Sequence, residues 1–308
     1  TQRPGNQLFD AYFTARDMRE VFCDQGRVQA MLDFEAALAR AEARVGVIPA
    51  SAVAPIAAAC NAGLYDFAAL GEAIATAGNS AIPLVKALGK QIAASSAEAE
   101  RYVHLGATSQ DVMDSGLVLQ LRQALELIES DLAALADSFV TQAQRHAATP
   151  LAGRTWLQHA TPVTLGMKIA GWLGAVTRSR QRLRELKPRL LVLQFGGASG
   201  TLAALGEQAL PIAQALAEEL RLTLPEQPWH TQRDRIVEFG AVLGLIAGSL
   251  GKLGRDVSLL MQTEAAEVFE PSAPGKGGSS TMPHKRNPVG AAVLIGAATR
   301  VPGLVSTL

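Results

Sequence analysis

Apolar residues recur along the chain in three long stripes. Leu117, Leu121, Leu125, Ile128, Leu132, Leu135 and Phe139 follow one another at steps of three or four. Ile236, Phe239, Leu243, Ile246, Leu250, Leu253, Val257 and Leu260 repeat the pattern. A third stripe runs through Leu165, Ile169, Trp172 and Val176 and resumes at Leu183, Leu186 and Leu190. A step averaging about 3.5 keeps one face of a helix on a neighbour along its whole length. The stripes therefore predict long, nearly parallel helices in a bundle. The second stripe is wider than one seam, because Ala241, Val242, Gly244, Leu245, Ala247 and Gly248 fill its other faces. A helix apolar nearly all round is buried nearly all round. This one is expected to meet helices of other subunits, with Gly244, Gly248 and Gly251 permitting close approach.

The residues before Tyr102 read differently. Shorter helical patterns are cut by Pro4, Gly46-Val47-Ile48-Pro49, Pro55, Gly63 and Gly78-Asn79. Val28, Met31, Leu32, Leu38 and Val45 mark one amphipathic helix. Runs of β-branched residues are nearly absent. The expected fold is all-α, with an N-terminal helical domain over 1–104 and a central long-helix bundle over 105–308. An irregular stretch, Leu224 to His230, separates two long helices. Pro288 to Leu308 reads as an apolar helix with neither a cap nor a polar closing segment, which predicts a natural chain that continues into a further domain.

Composition narrows the class. Of 308 residues, 48% are hydrophobic and 18% charged, so a large core is available. Lys plus Arg equals Asp plus Glu at 28 each, which argues against nucleic-acid binding driven by bulk charge. A small anionic substrate needs only a local cluster of cations. Cys23 and Cys60 show no CxxC spacing and fit small buried thiols in a reducing compartment. Thr1 to Asp10 has no apolar signal core. The uncharged run Phe239 to Gly251 is shorter than the ~20 residues of a membrane span. A soluble, cytoplasmic protein with no membrane association is expected.

Three segments carry chemistry. Pro274 to Pro288 contains Gly275, Gly277 and Gly278, then Ser279, Ser280, Lys285 and Asn287: a pliant backbone with hydroxyls and a cation, suited to closing over an anion. A P-loop is excluded, since Gly277 follows Gly275-Lys276 where Ser or Thr is required. Gly106-Ala107-Thr108-Ser109-Gln110-Asp111 precedes the first long helix and offers hydroxyls, an amide and backbone N–H groups to a carboxylate. Gly153 to Pro162 sets Arg154, Gln158 and His159 beside apolar neighbours. Taken singly, each segment also fits an ordinary turn, cap or structural histidine.

Together they match one family. Ser279-Ser280-x-Met282-Pro283-x-Lys285-x-Asn287-Pro288 is the signature of the fumarase/aspartase superfamily. The Gly106 and Gly153 segments resemble its first and second conserved blocks, in the family order. The resemblance covers essentially the whole chain. It implies a homotetramer of long helices, with each active site assembled from blocks on three subunits and no metal or other cofactor. It also implies roles for single residues. Ser279 would move the proton next to a substrate carboxylate, helped by the backbone N–H groups of Gly277, Gly278 and Ser280. Lys285 and Asn287 would stabilise the doubly charged aci-carboxylate. Thr108, Ser109, Gln110, Arg154, Gln158 and Ser280 would bind substrate. His230, Gln232, Arg233 and Arg235, in Trp229-His230-Thr231-Gln232-Arg233-Asp234-Arg235, would add charge, unless they only pair with Asp234 or Glu238.

One departure is sharp. Lyases of this superfamily carry His where this chain has Trp156, which cannot exchange a proton. His159 would reach a similar face if its segment were helical; otherwise no acid is needed. A carboxylate nucleophile is already ionised near neutral pH and needs no proton. Asn79-Ser80-Ala81-Ile82-Pro83, His104 to Asp111 and Pro228 to Arg235 resemble the branch that lactonises 3-carboxy-cis,cis-muconate, a tricarboxylate. Two alternatives stay open: an adenylosuccinate lyase-like elimination releasing fumarate, and a non-catalytic helical scaffold. The absence of any His between Leu64 and Val103 speaks against the first, and the intact Ser279, Lys285 and Asn287 against the second.

Overall fold

The computed structural model describes residues 7–271, 273, 277–279, 281–282 and 284–308. Short helices come first: α1 (Gln7–Asp10), α2 (Arg16–Phe22), α3 (Asp24–Val45), α4 (Val53–Ala59), α5 (Phe67–Ala77) and α6 (Ala81–Ala93). Then follow α7 (Ser109–Arg145), the strands β1 (Pro150–Thr155) and β2 (Gln158–Thr164), α8 (Leu165–Leu190), α9 (Ala209–Leu220), α10 (Asp234–Leu260) and α11 (Val289–Val305). Among the described residues the fold is all-α apart from one hairpin and an isolated bridge between Val192 and Thr223. The three stripes lie on α7, α8 and α10. The break in the α8 stripe is filled by Ser179, buried at 3% exposure, whose hydroxyl donates back to the Ala175 carbonyl at 3.0 Å. The stretch around Leu224 to His230 is irregular, but the helix before it, α9, has only 12 residues.

Two compact units form, one from Thr1–Leu127 with Lys187–Arg233, the other from Ile128–Leu186 with Asp234–Leu308. Helix length does not mark a division at 104, since α3 has 22 residues and α9 only 12. The units divide elsewhere because α7, 37 residues long, runs from one into the other.

The first unit is organised on α3. Its Leu32, Phe34 and Leu38 are fully buried, and it packs on α4 and α9. Arg40–Glu219 and Arg44–Glu218 pairs at 2.7 Å link α3 to α9. α3 ends at Gly46, whose φ of 84° lets its N–H and that of Val47 cap the last carbonyls. Gly116 of α7 brings that helix against α3, where a Cβ would lie 3.1 Å from Met31 Cγ.

In the second unit α10 and α11 lie close together. A Cβ on Gly251 would fall 2.2 Å from that of Ala298, and one on Gly254 2.8 Å from the Ala291 carbonyl oxygen. The Asp256 carboxylate accepts from Trp172 Nε1 of α8 at 2.7 Å and pairs with Lys252 and with Lys168. By length and composition α10 does reach the size of a membrane span, with 27 residues and a mean hydropathy of 1.6 in its most apolar window. The uncharged run understated it because the window extends over flanking residues.

Candidate active site

The first block starts α7. Thr108 stands just before the helix, and its N–H donates to the Asp111 carboxylate at 3.0 Å, a carboxyl-closed helix start. Asp111 is fully buried and holds more than this turn together. Its Oδ1 accepts from Gln194 Nε2 at 3.2 Å, Gly196 N at 3.0 Å and His230 Nε2 at 2.8 Å, and its Oδ2 from Gly197 N at 2.8 Å. Gln110 Nε2 reaches the His230 carbonyl at 2.7 Å and Asp114 at 3.2 Å. Arg233 forks onto Asp114 at 2.6 and 2.9 Å and lies 5.0 Å over the Trp229 ring. Thr108, Ser109, Gln110, His230 and Arg233 are thus neighbours. The helix-start pairing expected for the last two is corrected: their partners are Asp111 and Asp114, not Asp234 or Glu238, because the chain folds back over the start of α7.

Behind this turn lie buried acids. His104, at φ 58°, places Nδ1 2.6 Å from Glu35 Oε1, and the pair pulls the imidazole pKa upward against the opposing effect of burial. Two turns further along α3, Glu42 is fully buried with neither carboxylate oxygen hydrogen-bonded among the described residues. Burial, and then repulsion from Glu35, push its pKa up to about 8.

The second block is not helical. β1 and β2 form an antiparallel hairpin in which Arg154 faces His159 and Thr155 faces Gln158. The β-branched Thr155, Thr161, Val163 and Thr164 suit strands. Trp156 and Leu157 make the turn with φ of 51° and 62°; both signs match the tight hairpin turns that twist with their strands. The register slips between Ala152 and Arg154. A side chain at Gly153 there would lie 2.2 Å from the Thr161 carbonyl oxygen. Alternation along β2 puts Gln158 and His159 on opposite faces, so the helical route by which His159 would replace the family His is overturned. Trp156, 96% exposed, occupies the tip itself. Arg154 forks onto Glu267 at 2.7 and 3.1 Å. That bond holds the Glu267 carboxyl below its usual range, with a smaller contribution from His159 nearby.

The third block contains Ser279, Lys285 and Asn287; Ser280 lies outside the described residues. Ser279 Oγ accepts from the backbone N–H groups of Thr281 at 3.3 Å and Met282 at 3.1 Å. Of the donors expected, Ser280 lies outside the described residues; the bonds seen come from residues ahead of Ser279, where the chain turns forward around the hydroxyl. Asn287 donates from Nδ2 to the Gly278 carbonyl at 3.4 Å and from its backbone to that of Gly277 at 3.0 Å, which brings it to the same turn. Gly277 takes φ of 67°, and a Cβ there would meet the Asn287 carbonyl oxygen at 2.8 Å. Lys285 is exposed. Glu270 anchors the segment by accepting from Gly290 and Ala291 at the start of α11, at 3.0 and 2.8 Å. Ser279 and Asn287 are brought together, as are Arg154 and His159.

Residues 11–303 match the family profile described as lyase. The chain belongs to this family, the fumarase/aspartase superfamily. It is 80% identical over 99% of its length to 3-carboxy-cis,cis-muconate cycloisomerase of Pseudomonas aeruginosa and covers 66% of that protein. It is 77% identical over 98% of its length to the Pseudomonas putida enzyme of the same name, covering 72% of it. The crystal structure of the 3-carboxy-cis,cis-muconate lactonizing enzyme from Pseudomonas putida superposes with a TM-score of 0.95 at 79% identity, over 98% of this chain and 67% of that one. The chain therefore spans about two thirds of the length of the relatives it matches. Asp111, Asp114, Gln194 and Glu267 were not singled out from the sequence. Only Asp111, inside the first block, carried a signal; the others are recognisable by their partners alone.

Proposed function

We propose that the full protein interconverts 3-carboxy-cis,cis-muconate and 4-carboxymuconolactone, in the breakdown of protocatechuate. The reading is carried by the 77 and 80% identity, over nearly the whole chain, to cycloisomerases of that name. A carboxylate oxygen of the substrate forms a bond to one alkene carbon. The π pair moves to the neighbouring carbon and into its carboxylate, which takes a second negative charge. That carbon then takes the proton of Ser279, and solvent reprotonates the serine. A serine alkoxide is costly in water, and the two N–H groups aimed at Ser279 Oγ lower that cost. Lys285 and Asn287 meet the aci-carboxylate, and Thr108, Ser109 and Gln110 bind another. The nucleophile is already ionised, so an exposed tryptophan at the hairpin tip is compatible with the chemistry.

The active site is assembled from blocks of several subunits in a homotetramer, without a metal. Leu245 of α10, 53% exposed in the single chain, supports an apolar face that other copies cover. The free thiols Cys23 and Cys60 fit a cytoplasmic setting. The test is ultraviolet loss of diene absorbance by the full-length protein, with adenylosuccinate as a parallel substrate. Ser279→Ala is expected to lose about 100-fold or more in rate with its tetramer intact by light scattering. Turnover of adenylosuccinate alone would replace this reading with an elimination.

A further inference from the structure

We infer that His230 is a substrate-binding and charge-stabilising residue of this site, held from behind by Asp111 so that its free Nδ1 meets a substrate carboxylate. The inference rests on the proposed function for the identity of the ligand. Both Asp111 oxygens already accept from N–H donors, and His230 Nε2 donates the hydrogen it shares with Oδ1 at 2.8 Å. That fixes the tautomer and leaves Nδ1 without a partner among the described residues. The ring is mostly covered, with a side-chain exposure of 18%, yet is not sealed.

Glycine backbone packs close to the ring, because Gly196 N donates to the same Asp111 oxygen. Gly196 has no positive φ that would call for glycine. A Cβ there would lie 2.7 Å from both His230 Cε1 and Pro228 Cβ. Gly200, at φ 80°, would place a Cβ 3.9 Å from Nδ1. The Gln110 side chain binds the His230 carbonyl, so the histidine is tied to the block that offers the Thr108 and Ser109 hydroxyls.

The His230 ring pairs with Asp111, whose charge also acts on His104, and Asp114 next along α7 pairs with Arg233. Arg233 is neutralised by Asp114. His230 Nδ1 is a ring nitrogen without a partner among the described residues, and an arriving carboxylate would supply one. As imidazolium, Nδ1–H donates to the carboxylate while Asp111 stabilises the ring from Nε2. A fixed donor of this kind is worth on the order of 10²–10³ in rate where negative charge accumulates.

The test uses the full-length protein with ¹⁵N-labelled histidine, and the variants His230→Gln and His230→Ala. Gln retains a donor for Asp111 but has nothing in place of Nδ1. Expected is a kcat/KM at least 100-fold lower in His230→Gln with an unchanged melting temperature, and a lower melting temperature in His230→Ala. Millimolar propane-1,2,3-tricarboxylate should move the wild-type Nδ1 resonance from the unprotonated to the protonated range. Near wild-type turnover by His230→Gln, or an Nδ1 resonance that does not move with the tricarboxylate, would overturn the inference. If the wild type fails to turn over the muconate, the proposed reaction falls, and the Nδ1 resonance still decides the role of His230.

Discussion

Glu42 makes the stability of this protein depend steeply on pH, and Glu42→Gln should remove most of that dependence. The carboxyl titrates at about 8 in the fold against 4.5 when unfolded. The native state therefore keeps its proton where the unfolded state has released it. Its stabilising contribution is complete below 4.5 and is lost as pH rises toward about 8. Each pH unit in that window costs about 1.4 kcal/mol, and the whole shift about 5 kcal/mol. Gln has the same shape and no proton to lose. Its amide also lies unpaired, which displaces the whole curve by a constant but leaves its slope alone. The assay is the urea midpoint of wild type and Glu42→Gln from pH 5 to 9. The difference should shift toward the variant by several kcal/mol between pH 5 and 8 and then level off. A difference that does not vary with pH would refute the reasoning.

His104 adds a second dependence of the same sign. Its raised pKa means that the pair with Glu35 stabilises fully below about 6.5, the unfolded value, and fades as pH passes the folded one. Glu42→Gln should therefore keep a smaller alkaline loss, which His104→Gln removes, as urea midpoints will show. Leu157→Gly should raise the melting temperature, relieving about 1 kcal/mol of left-handed strain at a residue 71% exposed; a lower value would mean the turn is not strained. Gly251→Ala should lose about 1–3 kcal/mol by overpacking against Ala298. Ala298→Gly in the same chain should restore much of it, both measured by denaturant unfolding.

The long helices were legible because their apolar spacing is a property of the sequence that packing reinforces. The signature around Ser279 was legible for a different reason, since a reactive segment constrains residue types and not only their polarity. The hairpin was not. Its tip is Trp156-Leu157, with neither Asn nor Gly to announce positive φ, and its strands, almost without buried residues, carry no alternating apolar face. The network on Asp111 was invisible too, because Gln194, Gly196 and His230 approach it from far along the chain. Linear spacing carries no record of such contacts. Glu42 looked like one more polar position on α3, and only its burial shows what its ionisation costs.

Each compact unit is built from two separated stretches of chain, and this sets a timetable for synthesis. α3 leaves the ribosome early, but α9, which packs on it, ends at residue 220. At about 5–20 residues per second, on the order of 10–35 s pass between the two. Throughout that interval the α9-facing side of α3 has no permanent cover. The second unit then begins before the first can close. A newborn chain of this protein is thus half-built in two places at once, and its demand on chaperones is written into the order of its segments.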